Sequence, residues 1–387
     1  MTRVGAVAFG LVCFALGLLT YHFSARRVPD VPPPDAQVTE STGSGIDVSD
    51  IDFSQEPLWA YGYTEPPQPG DAAVPQTPPS RNLRPNEDPD EQTRPRRVEG
   101  SEASYSLVDV RDSGNVIDWF PGDHPPMPRL ITQGPAAGVA TTARGCASCH
   151  VPHGRGRPEN APVAALPTAY FVRQMQDFRE GLRRTADPRK PNTPTMIQLA
   201  QAMTDEEIQI AAEYFGSIPW APWVRVVETD LVPKTRIVGN LFLPVDEART
   251  EPIAGRIVEV PEDEEQSETL RNPRSGFIAY APIGSVARGE DLALTGGAPS
   301  PAGPRTVPCG TCHGPDLGGV ADIPPIAGRS PSYLVRQLWD MQQGTRRGAL
   351  SQLMTPVVAN LSPADMTDLA AYVASRLPSE TGPATGQ

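Results

Sequence analysis

Cys146-Ala147-Ser148-Cys149-His150 and Cys309-Gly310-Thr311-Cys312-His313 are two copies of one short motif, at an offset of 163 residues. In each copy a Cys-x-x-Cys pair is followed at once by a histidine, which is the spacing that attaches one c-type haem. The two cysteines suit thioether bonds to the porphyrin vinyl groups, and the adjacent histidine can ligate the iron. The two motifs, called boxes below, therefore predict two covalently bound haem c groups and a chain that moves electrons.

Paired cysteines have two other common uses. A redox dithiol needs a thioredoxin-like strand–helix context, and neither box has one. A structural zinc site needs about four closely placed ligands. The two boxes together would supply four cysteines, but each histidine would then lack a role. The fifth cysteine, Cys13, lies in an apolar N-terminal run and is interpreted as a buried membrane thiol.

An internal repeat extends outward from the boxes. Residues 169–177 match residues 332–340 at the same offset of 163, which then falls to 158 because the first copy carries five extra residues around 188–194. Each copy has a box, a loop, a helix, a polar loop that carries a methionine, and a closing helix. The repeat predicts a mainly α fold with two similar domains in tandem.

Local signals mark where the two closing helices begin. Thr204 and Glu207 form a Thr-x-x-Glu capping box, which predicts that the first closing helix starts there. Ser362 followed by Pro363 is an N-cap residue with proline at the first helical position, which predicts the start of the second.

Composition divides the rest of the chain. The predicted order is a membrane anchor or signal peptide (1–27), a disordered acidic, proline-rich tether (28–115), a first haem domain (116–223), a connector with short strands and a hairpin or two (224–281), a second haem domain (282–378) and a disordered tail (379–387).

The N-terminal part combines an apolar run with a polar tether. Residues 4–21 are uncharged, mostly apolar and just long enough to span a bilayer, and no clear small-x-small cleavage site follows, which favours an uncleaved anchor over a signal peptide. Residues 28–125 hold 16 prolines and 19 acidic residues, so we expect no core there. The aromatic patch 57–63 either docks onto a partner or the chain's own domains, or stays a loose cluster.

The net charge of −13 is unevenly placed. Basic and acidic residues nearly balance in both haem regions, with 9 against 8 in residues 141–218 and 6 against 5 in residues 305–377. The acidity therefore lies outside the haem domains. An acidic chain argues against nucleic-acid binding.

Each haem iron needs a second axial ligand if it is six-coordinate. His150 and His313 supply the proximal nitrogens, and Met196 and Met354 are the predicted distal ligands, because each lies just before a closing helix where the two repeats share a methionine. His124 remains a possible distal histidine. The other methionines of the repeats are interpreted as packing residues: Met175, Met203, Met341 and Met366. Histidine–methionine ligation raises the reduction potential and leaves no vacant position for peroxide.

Residues around the ligands repeat as well. Pro162 and Pro325 each lie 12 residues after a box histidine, so we predict that their carbonyl groups accept the Nδ1 proton of that histidine. Four further residues are either hydrogen-bond partners of the haem propionates or ordinary helix-surface residues: Tyr170, Arg173, Tyr333 and Arg336.

The chain resembles a tandem diheme class I cytochrome c over residues 118–377. The boxes, residues 325–328, the helix at 333–337, Met354 and the closing helix carry the resemblance. It implies two small all-α domains, each wrapped round one haem, with His150 and Met196 on one iron and His313 and Met354 on the other. The tether, the anchor and the long connector depart from the simplest diheme form, and favour a fixed place beside a membrane enzyme.

The expected function is that of a membrane-tethered electron carrier rather than an enzyme. Because bacterial c-type haem is attached outside the cytoplasmic membrane, the body is expected in the periplasm with a single-pass N-terminal anchor. Its expected partners are a periplasmic dehydrogenase or quinol-oxidising complex on one side, and a terminal oxidase or soluble cytochrome on the other. A diheme subunit of a dehydrogenase complex is the alternative. A diheme peroxidase is disfavoured because both repeats keep a methionine in register.

Overall fold

The computed structural model describes residues 52–71, 84, 87–138, 143–245, 249–297 and 303–377, all within one compact unit. The predicted anchor or signal segment (1–27) and the predicted tail (379–387) lie outside the described residues. Within the described ranges, no helix has both the length and the apolar character needed to cross a membrane. The described chain is mostly helical with some short strands.

The N-terminal part of the described chain is folded onto the domains that follow. A 3-10 helix, Leu58–Tyr61, is followed by α1 (Pro89–Thr93) and α2 (Leu107–Val110). Ser106 caps α2 through a capping box with Asp109. Because these elements are short, they are ordered by what they pack against and not by their own hydrogen bonds.

The prediction of a disordered tether (28–115) is therefore wrong for residues 52–71 and 87–115. Trp59 is 1% exposed in the main hydrophobic core, and Tyr61 donates a hydrogen bond of 2.6 Å to the Asp340 carboxylate. Proline and acid content correctly says that this segment has no core of its own. Of the alternatives for the aromatic patch, docking onto the chain's own domains is confirmed, because those domains supply its apolar partners.

The first haem domain contains five helices in the described ranges, with the closing helix last. They are α3 (Arg129–Gln133), α4 (Ala147–His150), α5 (Thr168–Arg179), α6 (Asn192–Ala202) and α7 (Asp205–Gly216). The predicted capping box at the start of α7 is confirmed, since the Thr204 hydroxyl accepts from the Glu207 amide and the Glu207 carboxylate accepts from the Thr204 amide. Helices α5 and α7 pack their apolar faces together over the box, with Phe171 stacked on Phe215.

The described residues of the connector form seven strands, as the predicted β-prone pieces indicated. They are β1 (Val224–Glu228), β2 (Leu231–Pro233), β3 (Thr235–Val238), β4 (Leu241–Pro244), β5 (Thr250–Pro252), β6 (Val258–Pro261) and β7 (Phe277–Ala281). Strand β7 lies between β1, which is parallel to it, and β6, which is antiparallel. Strands β3 and β4 form a hairpin whose turn residues Gly239 and Asn240 both have positive φ, as a tight two-residue turn requires.

The second haem domain repeats the plan of the first. Its helices are α8 (Ser285–Thr295), α9 (Gly310–His313), α10 (Pro331–Gln342), α11 (Thr355–Val358) and α12 (Pro363–Ser375), with a 3-10 helix Ala349–Met354 before α11. Ser362 caps α12 with Pro363 in its first turn, which confirms the prediction. Helices α8 and α12 cross at Gly289, where a Cβ atom would lie 2.0 Å from the carbonyl oxygen of Asp368. Glycine thus permits a backbone contact that no other residue would allow.

Candidate haem-binding sites

Each box lies in the wall of a separate cavity. The first cavity, of about 280 Å³, is lined by Cys146, Cys149 and His150, and the second, of about 260 Å³, is lined by the corresponding Cys309, Cys312 and His313. In both, the short box helix carries the two cysteines and the histidine on one turn. Both cavities are mainly apolar, which suits a porphyrin face. The structure therefore brings the predicted attachment residues together twice, in equivalent places.

Both box histidines are held by the same backbone contact. The Nδ1–H of His150 donates to the Ala161 carbonyl oxygen at 2.8 Å, and the Nδ1–H of His313 donates to the Pro324 carbonyl oxygen at 2.8 Å. This contact fixes the tautomer and leaves the Nε2 lone pair for the iron. Burial lowers the pKa of both histidines, which keeps each ring neutral, as a metal ligand must be.

The prediction that Pro162 and Pro325 supply these carbonyls is wrong by one residue. In both repeats the acceptor is the residue just before the proline. The proline biases that residue towards an extended conformation, but spacing alone does not tell which of two neighbouring carbonyls faces the ring. The carbonyls of Pro162 and Pro325 instead accept hydrogen bonds of 2.9 Å and 2.7 Å from the buried guanidinium of Arg329.

The first cysteine of each box does not have the activated thiol that a redox dithiol requires. No disulfide joins the four described cysteines. Burial raises the pKa of Cys146 to about 12 and that of Cys309 to about 11. A redox dithiol needs a lowered pKa, so that the thiolate forms at neutral pH. In the described ranges no cluster of three or more His, Cys, Asp or Glu side chains is placed to hold a metal ion.

The predicted methionine ligands line the correct cavities. Met196 lines the first and Met354 the second. Neither lies in a loop as expected, since Met196 is on α6 and Met354 ends the 3-10 helix before α11. Met175, Met203 and Met341 also line the cavities, so the assignment of Met196 and Met354 as iron ligands stays a prediction. Met366 is fully buried on α12 and lines neither cavity, in keeping with a packing role.

The two cavities share a wall made of residues from both domains. Five described residues line both cavities: Leu166, Tyr170, Gln174, Tyr333 and Gln337. Tyr170 and Gln174 on α5 are the repeat counterparts of Tyr333 and Gln337 on α10. The wall is therefore built by the same two positions of each middle helix, and the two haem sites are direct neighbours.

Two arginines join this wall with near two-fold symmetry. Arg183 donates to Gln174 of its own domain at 2.9 Å and to Gln337 of the other domain at 2.9 Å. Arg346 donates to the same two amide oxygens at 2.8 Å each. Each guanidinium also bonds the tyrosine hydroxyl of the opposite domain. The sequence signal was present, because Arg183 and Arg346 match at the repeat offset, but their contact across the domain interface was not predicted.

All four predicted propionate partners already make contacts within the protein. Tyr170 accepts a 2.9 Å hydrogen bond from Arg346, and Arg173 forms an ion pair of 3.2 Å with Asp322. Arg336 is fully buried and donates to the carbonyls of Ala60 and Pro158.

Tyr333, the fourth, lies 3.3 Å from the Arg183 guanidinium. All four line at least one cavity. Their proposed bonds to propionates stay predictions.

Two tandem copies of a small helical domain, each with a carbonyl-anchored histidine next to a Cys-x-x-Cys pair in a cavity wall, define a protein of the c-type cytochrome class. The sequence model for cytochrome c matches residues 135–219 and 303–376, one match on each box. The chain belongs to the cytochrome c family, with two such domains in tandem and two covalently bound haem c groups.

Individual relatives are of two kinds: one kind matches 66% of this chain and the other matches 18% of it. The thiosulfate dehydrogenase electron acceptor of Stutzerimonas stutzeri (strain A1501) is 27% identical over 258 residues, which cover 66% of this chain and 88% of that protein. Cytochrome c-554(548) of Halomonas halodenitrificans is 41% identical over 69 residues, which cover 18% of this chain and 83% of that protein. A solved thiosulfate dehydrogenase (TsdBA) from Marichromatium purpuratum has 26% identity and a TM-score of 0.40, covering 65% of this chain and 40% of that chain.

Proposed function

We propose that this diheme cytochrome is a membrane-tethered, periplasmic electron carrier that accepts electrons from a thiosulfate-oxidising dehydrogenase and passes them to a downstream respiratory partner. The observation that carries electron passage within the chain is the shared wall between the two haem cavities. The dehydrogenase is suggested by the similarity to thiosulfate dehydrogenase electron acceptors, which covers 88% of one such protein. The anchor rests on residues 4–21 alone.

The shared wall supports rapid exchange between the two sites. Each haem supplies a one-electron iron couple, and transfer between neighbouring sites requires only closeness and matched potentials. The chain contributes by holding both box histidines on fixed carbonyls and by locking α5 to α10 through Arg183 and Arg346. The locked interface keeps the relative position of the two haem sites constant. This lowers the structural reorganisation energy of each electron transfer between them.

The mouth of the second cavity is the better docking surface for a redox partner. Three of its lining residues are large, exposed apolar side chains: Val307, Leu350 and Leu353, of which Leu353 is 63% exposed. Among the described residues, no exposed large apolar side chain lines the first cavity. Exposed apolar rims mark interaction sites. We therefore assign the dehydrogenase to the second domain.

Stopped-flow reduction by a purified thiosulfate dehydrogenase in the presence of thiosulfate tests the partner and its docking place. The oxidised wild-type protein is expected to be reduced rapidly, and Leu353→Gln is expected to slow this step about tenfold, because it adds an unpaired amide to a dry contact. Ile237→Gln, an equally polar change at an exposed connector site, is the matched control. Failure of the dehydrogenase to reduce the wild-type protein rules out the partner, and equal slowing in both variants rules out the docking place.

Localisation is tested separately with the full chain. In membranes washed with high salt the protein is expected to stay bound until detergent is added, whereas a chain that lacks residues 1–27 but is exported by a cleavable signal is expected to be released. Release of the full chain by osmotic shock alone would contradict the tether. Co-elution with the dehydrogenase through detergent would instead favour a permanent subunit.

A further inference from the structure

The first repeat contains a short loop that the second repeat lacks. The five extra residues fall between α5 and α6, and this loop carries Lys190. The loop is held in place by the N-terminal segment, since the Tyr63 hydroxyl donates to the Arg189 carbonyl at 3.0 Å and the Arg189 guanidinium lies over the Tyr63 ring. The loop that carries Lys190 is therefore held by tertiary contacts from the N-terminal segment.

Lys190 is a buried cation without a hydrogen-bond partner. Its side chain lines the first haem cavity, the residue is 4% exposed, and its ammonium group makes no hydrogen bond in the described structure. Other deeply buried cations of that cavity are satisfied, because Arg183 and Arg336 both donate to protein oxygens. An unpaired buried ammonium costs several kcal/mol unless something else supplies a counter-charge.

The protein's own acids supply part of that counter-charge, since all three of the carboxylates nearby favour the charged form of Lys190, but none of them bonds the ammonium. Glu159, Asp187 and Asp340 are the carboxylates near enough to act on Lys190. Glu159 and Asp187 each form an ion pair with an arginine, and Asp340 accepts a hydrogen bond from a tyrosine. Burial, followed by the like charge of Arg336, lowers the pKa of Lys190 well below its ordinary value. A further carboxylate beside Lys190 would oppose both effects, because it attracts the charged form of the ammonium.

Haem brings such carboxylates into the cavity. Its two propionates leave one edge of the porphyrin as carboxylates. The lining of the cavity is mainly apolar, with Phe171 and Phe215, and also contains the polar side chains of Lys190, Asn192 and Arg336. Of these three, Lys190 is the cation without a hydrogen-bond partner in the described structure. The residue type is itself informative, since only two of the 33 basic residues of the chain are lysines and the other, Lys234, lies in the connector.

We propose that the Lys190 ammonium is the counter-ion of a propionate of the first haem, and that it raises the reduction potential of that haem. This inference rests on the bound haem and not on the proposed dehydrogenase or membrane. A positive charge beside the porphyrin favours the reduced iron, which carries one positive charge fewer. At an effective dielectric of about 20 and a separation of about 10 Å, one charge changes the reduction equilibrium by roughly tenfold. A tenfold change corresponds to about 59 mV for a one-electron couple.

The test is a spectroelectrochemical titration of the purified diheme protein and its variants. Lys190→Met keeps the length of the side chain but removes the charge, and is expected to lower one of the two potentials by about 59 mV while leaving the other unchanged. Lys190→Arg retains the charge and is expected to restore most of the difference. Lys234→Met, which removes the other lysine of the chain, is the matched control and is expected to leave both potentials in place.

Three results would overturn the proposal. Unchanged potentials in Lys190→Met with both haems bound would show that the ammonium does not face a propionate. Equal effects of Lys190→Met and Lys234→Met on the potentials would show that only the net charge of the protein matters, and not the position of Lys190. If the potential of Lys190→Arg is as low as that of Lys190→Met, the positive charge at this position does not set the potential. If Lys190→Met fails to fold, Lys190→Gln provides the same comparison, and because no partner is present, these results are independent of thiosulfate.

Discussion

The two haem sites share their chemistry and differ in their surroundings. In both, a box histidine donates to a carbonyl 2.8 Å away that precedes a proline, and a tyrosine and a glutamine from each middle helix line both cavities. The first cavity, however, is walled by an extra loop and by the hairpin turn at Gly239 and Asn240, whereas the second is rimmed by exposed apolar side chains.

This comparison shows which properties of the two haem sites follow from the repeated sequence and which do not. Covalent attachment and histidine orientation depend on residues close together in sequence, and both repeats have them. The environment of each haem depends on segments distant in sequence, and these contact the two domains differently. The two sites are therefore expected to differ in potential and in access to partners while binding haem in the same way.

Removing one box at a time gives the largest expected effect. Cys146→Ala with Cys149→Ala, or Cys309→Ala with Cys312→Ala, is expected to reduce the covalently bound haem from two groups to one, because neither box assists the other. Haem content measured by the pyridine haemochrome spectrum checks this. If either double variant loses both haems, the two sites are not independent folding units.

Replacing the methionines tests whether both irons are ligated alike. Met196→Ala and Met354→Ala are each expected to lower one potential, on the order of 0.1 V, because a thioether ligand favours reduced iron. Spectroelectrochemistry should show a different step moving in each variant. Met366→Leu, in the core away from both cavities, is the control. A variant with two unchanged potentials would exclude that methionine as a ligand.

Glu259 should make the contact between the connector and the second domain sensitive to pH. Its carboxylate on β6 accepts hydrogen bonds from Ser330 and Ser332 at the start of α10. Burial raises the pKa of Glu259 from 4.5 to about 7. The folded state binds the Glu259 proton more tightly than the unfolded state does. The stability that this protonation contributes is therefore fully present below pH 4.5 and is lost as the pH rises through 7.

Glu259→Gln is therefore expected to remove about 3 kcal/mol of the decrease in unfolding free energy between pH 5 and pH 8. Denaturant unfolding of the second domain at several pH values measures this. The exposed Glu262→Gln serves as control. A wild-type unfolding free energy that does not fall across this interval would contradict the expectation.

The interface arginines give the smallest expected effect. Arg183→Leu and Arg346→Leu each leave shared acceptors partly unsatisfied, so the two changes should not be additive, with a coupling of about 1 kcal/mol. A double-mutant cycle on the unfolding free energy measures the coupling. Additive effects would show that the two guanidiniums act separately and that the symmetric network does not lock the domains.

How much of the site was predictable depends on the distance in sequence between its parts. The boxes, the repeat register and the capped starts of α7 and α12 were read correctly, because each is a pattern within a few residues. The carbonyl that orients each histidine was missed by one position. The aromatic patch with Trp59 was assigned to a segment expected to be disordered, since its apolar partners belong to elements far along the chain.

The sequence by itself determined that this is a c-type cytochrome with two haems, because thioether attachment and histidine ligation require fixed local spacing. Only the tertiary structure decided that the two cavities share one wall, that Arg183 and Arg346 cross the interface, and that Lys190 is buried without a partner. Those features depend on which surfaces, far apart in sequence, pack against one another and exclude water. Hydrophobic burial is non-directional, and so it leaves little trace in any short stretch of sequence.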